Sequence, residues 1–250
     1  MSWYLGAALA SGAYGALSGL LVPALIAWIP EPAPRVEASA HADDESGHAA
    51  TPVPERAVKQ PYAEIARSPG LRWRTALATL VAAGLCGSRV GFGPELALVL
   101  YLAPIGVALA VVDWRTRLLP TKVIAPSYAV VIAIVVVAGV LSHDYDDLIR
   151  AGYGWLVAGG TFFVLWFVYP KGMGYGDVRL AGVLGIALGY LGWAELLTGV
   201  YAGFLLGGVG GLLLSMLRLV DRKAYPFGPF MLVGAVVGVL AGPWVAAWYS

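Results

Sequence analysis

The sequence predicts an all-α protein, a polytopic transmembrane bundle of about eight helices. Hydrophobic residues make up 59% of its 250 residues and charged residues only 12%, whereas soluble domains carry about 25% charged residues. The apolar residues are also grouped into segments close to the length of about 20 residues that crosses a bilayer as a helix. The net charge of +1 gives no indication of a nucleic-acid partner, so the predicted surroundings are the lipid bilayer.

The apolar segments predict the elements in chain order. The first helix covers residues 1–29, and because it is too long for a signal peptide and follows no basic stretch, we expect it to be retained. Residues 30–74 are rich in Pro, Ala, Glu and Asp and have no apolar periodicity, which is typical of a flexible loop outside the membrane. Residues 75–250 predict a seven-helix membrane domain, with helices at 75–89, 95–112, 122–141, 151–169, 178–191, 193–217 and 227–248.

The placement of Lys and Arg predicts the orientation, because cytoplasmic loops retain positive charge during insertion. Alternate loops carry fourteen of these cations against two. The richer set contains Arg35, Arg56, Lys59, Arg67, Arg72, Arg74, Arg115, Arg117, Lys122, Lys171, Arg179, Arg218, Arg222 and Lys223, and the poorer set Arg89 and Arg150. We therefore expect both termini outside and the 30–74 loop in the cytoplasm.

Several features predict structure rather than chemistry. Cys86 is the only cysteine and lies in an apolar run, so we expect a small buried side chain and predict no metal and no cofactor. Asp144, Asp146 and Asp147 form an outer acidic loop that suits helix capping better than cation binding. Glycines four residues apart predict close helix packing; they are Gly203, Gly207 and Gly211, and Gly234, Gly238 and Gly242.

Two carboxylates stand out because an ionised group in hydrocarbon is costly and is usually interfacial or functional. Asp113 ends the third predicted helix and Asp177 opens the sixth, and the orientation places both at the cytoplasmic side. If they meet, like-charge repulsion would leave one proton shared between them, as in an aspartic protease. The glycines Gly174 and Gly176 leave room there for a substrate backbone. Taken alone, Asp113 also suits a helix end and Asp177 a helix N-cap.

Three segments together resemble the type IV prepilin leader peptidases, polytopic aspartic proteases of the GxGD class. They are Asp113 followed by Leu118 to Pro120, the run KGMGYGDVRL at 171–180, and the run YPFGPFMLVGA at 225–235. The resemblance covers about residues 97 to 240. Its specificity lies in the order and spacing of the three segments, since a GxGD string alone is weak evidence.

The resemblance implies that Asp113 and Asp177 are a catalytic pair that cuts prepilins or pseudopilins at the cytoplasmic face of the bacterial inner membrane. It also implies that further residues shape the cleft: Arg115, Arg117, Lys171, Gly174, Gly176, Pro226, Phe227, Gly228 and Pro229. Bifunctional family members carry paired cysteines between the first two helices and methylate the new N-terminus. The loop at 30–74 has no cysteine, so methyltransferase activity is not predicted.

A second interpretation is a non-enzymatic membrane protein, either a transporter or a pilus-assembly scaffold. Its carboxylates would then relay protons or bind a partner. A transporter favours ionisable groups near the midplane and an inverted repeat. Here the carboxylates gather at one face and no such repeat is visible in the sequence, so the peptidase is the favoured interpretation. The oligomeric state is not predicted.

Overall fold

The computed structural model describes residues 3–31, 60–170, 173–216 and 226–249. Over these residues the chain forms nine helices and no strand. They are α1 (Leu5–Trp28), α2 (Tyr62–Ala66), α3 (Leu71–Val90), α4 (Leu96–Thr116), α5 (Thr121–Ser142), α6 (Tyr145–Val168), α7 (Tyr175–Leu191), α8 (Trp193–Met216) and α9 (Gly228–Tyr249). The predicted all-α bundle with eight long helices is confirmed.

Six of these helices are long and apolar enough to cross a membrane, namely α1, α4, α5, α6, α8 and α9. The other two long helices differ from them in ways the sequence explains. Helix α3 carries Arg72, Arg74 and Arg89 near its ends, and α7 has only 17 residues. Short α7 is shielded by neighbours, since 13 of its residues are buried. The sidedness of the termini stays a prediction.

The polar segment after α1 is shorter than predicted. Helix α3 begins at Leu71, four residues before the predicted start, because Gly70 adopts a left-handed conformation with φ of +75° and Leu71 is buried. Helix α2 also falls inside the range predicted as loop. Its two large apolar residues, Tyr62 and Ile65, lie three apart and are both buried in the core. Residues 32–59 of the predicted loop lie outside the described residues.

Helices α1 and α3 pack closely side by side. Two hydroxyl groups bond to backbone carbonyls across the contact: Ser11 Oγ donates to Ala83 O at 2.9 Å, and Thr75 Oγ1 donates to Gly19 O at 2.7 Å. A Cβ atom on Gly19 would lie 2.6 Å from the Ala76 Cα atom. Small and hydroxyl-bearing residues, rather than large apolar side chains, thus form this contact, as is common between helices in lipid.

Helix α7 is the central element of the second half of the chain, in contact with α5, α6, α8 and α9. It approaches α6 so closely that a Cβ on Gly154 would lie 2.2 Å from Gly185 O. Helix α6 begins at Tyr145 rather than at residue 151, because Asp144 caps it by accepting the Asp147 N–H at 3.4 Å. The expectation that the acidic outer cluster caps a helix is confirmed for Asp144, while its neighbours form the first turn rather than a loop.

Helices α8 and α9 pack through their glycines, as the four-residue spacing predicts. A Cβ on Gly234 would lie 2.4 Å from Gly203 N, and one on Gly238 would lie 2.8 Å from Gly199 Cα. The two backbones are therefore in direct contact along this interface. In lipid, dispersion between closely packed helices stabilises such a contact in place of the hydrophobic effect. This packing fixes the start of α9, which is part of the candidate active site.

Candidate active site

Asp113 lies in the last turn of α4, which runs to Thr116 and so ends four residues later than predicted. Its backbone carbonyl accepts the Arg117 N–H at 2.8 Å, and Arg117 ends the helix in a left-handed conformation with φ of +56°. The Asp113 side chain is only 4% exposed. A carboxyl group with so little contact with water needs polar partners from the protein itself.

One such partner is the first residue of α9. The Gly228 N–H donates a hydrogen bond of 2.9 Å to Asp113 Oδ2. Because the first N–H groups of a helix have no partner inside the helix, they are well suited to a carboxylate. A Cβ on Gly228 would lie 2.7 Å from the same oxygen, so a larger residue would press directly on Asp113.

Asp177 lies in the first turn of α7, which begins at Tyr175 rather than at residue 178 as predicted. Its Oδ2 atom accepts the Gly174 N–H at 3.1 Å, an arrangement that caps the helix. The side chain is 8% exposed. Asp177 can cap the helix and still serve as a catalytic group, because the hydrogen bond from the Gly174 N–H orients its carboxyl group.

Leu119 connects the three sequence segments that suggested a family. Its Cβ lies 2.8 Å from where a Cβ on Gly176 would stand, and its Cδ2 lies 3.4 Å from the corresponding position on Gly228. The leucine therefore packs between the start of α7 and the start of α9, close to both aspartates. The sequence pattern includes Leu119 in a motif but predicts no role for it.

The two aspartates share this end of the bundle. Asp113 is close enough to Asp177 for its charge to act on that carboxyl group. Both are buried, and two negative charges in such a site repel each other strongly. That one proton is shared between the two carboxyl groups stays a prediction.

Phe227, which the resemblance predicts to shape the cleft, belongs to an aromatic cluster. Its ring centroid lies 5.8 Å from those of Phe162 on α6 and Phe204 on α8, which stack on each other at 4.7 Å. The cluster holds the Pro226 to Pro229 turn against helices α6 and α8, and Pro226 is buried. The sequence offered no signal for Phe162 and Phe204, because they are distant apolar residues within helices.

The predicted cationic residues lie around the site. Arg115 and Arg117 are exposed, and Arg115 Nη1 donates to Gln60 Oε1 at 3.4 Å. Arg179, which follows Asp177 by two residues, stacks over the Tyr175 ring at 4.6 Å and bonds to the Thr121 hydroxyl. Lys171 lies outside the described residues.

An apolar groove of about 600 Å³ runs beside the site. Helices α3, α4 and α9 form its walls, and buried residues of α7, including Leu184 and Leu188, line its inner side. Pro229, next to the Asp113 partner Gly228, lines one end together with Arg115. In the part of the chain that the structure describes, no group of three or more His, Cys, Asp or Glu side chains is placed to hold a metal ion.

Comparison with known proteins identifies the family of this chain. The model of the type IV leader peptidase family matches residues 100–214, which include both aspartates. A relative from Escherichia coli named prepilin leader peptidase/N-methyltransferase is 30% identical over 174 residues, 66% of this chain and 73% of the relative. The chain belongs to the type IV leader peptidase family. This membership confirms the resemblance inferred from the three sequence segments.

Two further relatives carry the same name. The one from Aeromonas salmonicida is 30% identical over 193 residues, which are 74% of this chain and 61% of the relative. The one from Pseudomonas aeruginosa is 27% identical over 178 residues, 69% of this chain and 59% of the relative. The match thus spans about three fifths of the length of these two family members. No solved structure matches the chain.

Proposed function

We propose that this chain is an aspartic endopeptidase that removes the leader peptide from type IV prepilins or pseudopilins. The observation that supports the proposal is that buried Asp113 and Asp177 lie at the same end of the bundle, where Leu119 packs beside the helix starts that carry Asp177 and the Gly228 N–H. The substrate class comes from family membership and from the names of the relatives.

The proposed mechanism uses the shared proton. The ionised aspartate accepts a proton from water as the water oxygen attacks the scissile carbonyl carbon. The protonated aspartate donates a hydrogen bond to the carbonyl oxygen and stabilises the tetrahedral intermediate. The carbon–nitrogen bond then breaks as the leaving amine takes a proton from the dyad. The backbone bonds from Gly228 and Gly174 hold the two carboxyl groups in orientation throughout.

We place the protein in the bacterial inner membrane as a multi-pass protein with its active site at the cytoplasmic face. Six apolar helices support a multi-pass membrane protein. The sidedness rests on the distribution of Lys and Arg, because the helix ends that carry Asp113 and Asp177 adjoin the cation-rich loops.

We propose the peptidase activity alone. The relatives are named for both a peptidase and an N-methyltransferase, but the segment at 30–74, between the first two long helices, contains no cysteine. Paired cysteines in that position are what the bifunctional members carry. A cleaved pilin with an unmodified N-terminus is therefore the expected product, and its mass would reveal an added methyl group.

The test is co-expression with a candidate prepilin from the same organism, followed by mass measurement of the pilin. Asp113→Asn and Asp177→Asn should each lower cleavage by more than about 100-fold, because each removes one partner of the acid–base pair. Asp146→Asn, an exposed carboxyl at the opposite end of the bundle, is the matched control and should cleave normally. Cleavage that survives either dyad substitution in inserted protein would remove that aspartate from the mechanism.

Failure of the wild type on several pilin-like substrates would be a different result. It would favour the transporter or scaffold interpretation, in which the same carboxylates bind a partner or move protons. Expression and membrane insertion of each variant are checked in parallel, so that loss of protein is separated from loss of chemistry.

A further inference from the structure

The groove between α3, α4 and α9 has the length of a membrane segment. It contacts α4 from Leu98 to Trp114, which corresponds to about 24 Å at a helical rise of about 1.5 Å per residue. Cys86 of α3, Val99 of α4 and Val239 of α9 line its far end and pack in one apolar cluster with Leu188. The groove therefore extends through most of a hydrocarbon core of about 30 Å.

The two ends of the groove differ in chemistry. Exposed Arg74 and Arg115 lie at the end beside the candidate active site, whereas the far end is entirely apolar. Long cations of this kind mark the depth where hydrocarbon gives way to headgroups. Whatever fills the groove must therefore be apolar over about 24 Å and must emerge from the hydrocarbon at the depth of Asp113.

The walls suit a helix. Ala103, Gly106 and Ala110 lie on one face of α4 along the groove, and small residues in such positions allow a second helix to approach closely. Because the groove is open along one side and is not an enclosed cavity, a helix lying in it would be contacted on one face.

The groove ends next to the candidate active site. Pro229 lines its Arg115 end, and the preceding residue, Gly228, donates its N–H to Asp113. A helix in the groove would thus deliver the peptide bonds just beyond its end to the dyad. An acyl chain of a lipid could fill the same space. A groove that only binds lipid, however, would not need to end beside the dyad.

We infer that this groove binds the apolar membrane helix of the protein substrate and, by holding it at a fixed depth, sets which peptide bond reaches Asp113 and Asp177. This inference rests on the proposed function. It assigns substrate positioning to α3, α4 and α9, away from the residues that perform the chemistry.

Cys86 provides a direct test, because it is the only cysteine of the chain and lines the far end of the groove. Cys86 lies twelve residues along α3 from Arg74, a distance of about 18 Å.

In the experiment, a single cysteine is placed at successive positions along the apolar helix of a prepilin. Each substrate is incubated with the Asp177→Asn enzyme and oxidised with copper phenanthroline, which couples the two thiols into a disulfide.

Crosslinking should peak about twelve residues beyond the scissile bond and recur every three to four residues, as one helical face requires. The matched control carries Cys86→Ser with Ala133→Cys, which moves the cysteine to an exposed site on α5 outside the groove, and should not crosslink. Absence of crosslinks to Cys86, or equal crosslinking of the control, would overturn the inference.

A second measurement compares two substrates of the same enzyme. One is a full-length prepilin, and the other is a short peptide that contains the scissile junction but no membrane helix. Ala110→Phe fills the groove and should lower the ratio of the full-length rate to the peptide rate by at least about tenfold. A tenfold change corresponds to a loss of about 1.4 kcal/mol in binding free energy. Ala133→Phe should leave the ratio unchanged.

The ratio separates the two hypotheses. An unchanged ratio in Ala110→Phe, with both substrates still cut, would refute the binding of the helix in the groove and leave the peptidase intact. Absence of cleavage of both substrates by the wild type would instead refute the proposed function itself.

Discussion

At the residue scale, the candidate site depends on glycines that bring backbone close to a side chain. Gly228 offers an N–H to Asp113, and Gly176 leaves room for Leu119. The sequence identifies Gly176 through the GxGD string, but the need for a residue without a Cβ at both positions becomes clear from the distances. The two glycines belong to segments about 50 residues apart in the chain.

We expect Gly176→Ala and Gly228→Ala to lower peptidase activity by more than about tenfold while the protein still inserts. An added Cβ would lie 2.8 Å from the Leu119 Cβ in the first variant and 2.7 Å from Asp113 Oδ2 in the second. The site must therefore shift, and small misplacements of reacting groups are costly. The measurement is the initial rate of leader removal at equal protein level.

The matched control is Gly160→Ala, a helical position with open space around the added Cβ. It should keep full activity and could gain up to about 1 kcal/mol of stability, because Ala is the better helix former. Normal activity in Gly176→Ala and Gly228→Ala would show that the contacts with Leu119 and Asp113 do not control the geometry of the dyad.

The proposed mechanism also predicts how the rate depends on pH. The rate should follow a bell-shaped profile, because that mechanism requires one ionised and one protonated aspartate. It falls on the acid side when a second proton binds the pair and on the alkaline side when the single proton leaves. The measurement is kcat/KM of detergent-solubilised enzyme across pH, with thermal unfolding recorded at each pH. A monotonic profile over the range in which the protein stays folded would argue against a shared proton.

At the element scale, α7 is fixed at both ends. Its N-terminus carries Asp177, and its C-terminus is capped from α6 by Arg150, which donates to Gly189 O and Tyr190 O at 2.7 Å each. Arg150 also pairs with Asp147 one turn earlier. This capping satisfies terminal carbonyls that a short helix would otherwise leave unpaired. From the sequence, Arg150 was only an outer-loop cation.

Arg150→Met should lower the free energy of unfolding by about 2 kcal/mol, because it leaves the two carbonyls of α7 without their charged donor. The measurement is the Tm in detergent, and the matched control is Lys122→Met, an exposed cation at the start of α5. If both variants unfold at the wild-type temperature, Arg150 does not hold the end of α7.

At the scale of the whole molecule, the distribution of charge and the fold make one joint prediction about sidedness. The cation-rich segments adjoin the ends of α4 and α7 that carry the aspartates. The opposite end of the bundle holds Trp3, whose ring lies 4.6 Å from the Arg89 guanidinium, and the acidic start of α6. The first and last described residues, Trp3 and Tyr249, then lie on the side opposite the candidate site.

Single-cysteine labelling tests this sidedness in a Cys86→Ala background. Ser142→Cys, exposed at the C-terminal end of α5, should react with a membrane-impermeant maleimide applied to spheroplasts whose inner membrane is intact. Ala63→Cys, exposed on α2, should react after the membrane is opened. The reverse pattern would place Asp113 and Asp177 outside the cytoplasm and would overturn the proposed location of cleavage.

The sequence by itself determined the fold class and the catalytic candidates of this protein. Apolar segments of membrane length and a low charge content require a helix bundle, since lipid satisfies no backbone hydrogen bonds. Two carboxylates at helix ends near GxGD were visible because isolated acidic groups are rare in such segments. Helix ends were placed within a few residues, with errors at Leu71, Tyr145 and Thr116 where local capping decided the boundary.

Only the tertiary structure decided what surrounds the two aspartates. The bond from Gly228 to Asp113, the position of Leu119 and the cluster around Phe227 all join segments far apart in the chain. So does the groove of α3, α4 and α9. Such contacts depend on how helices pack, and in lipid packing is set by the close fit of small residues rather than by local composition. A local pattern can name the reacting groups, but the distances between them come from the bundle.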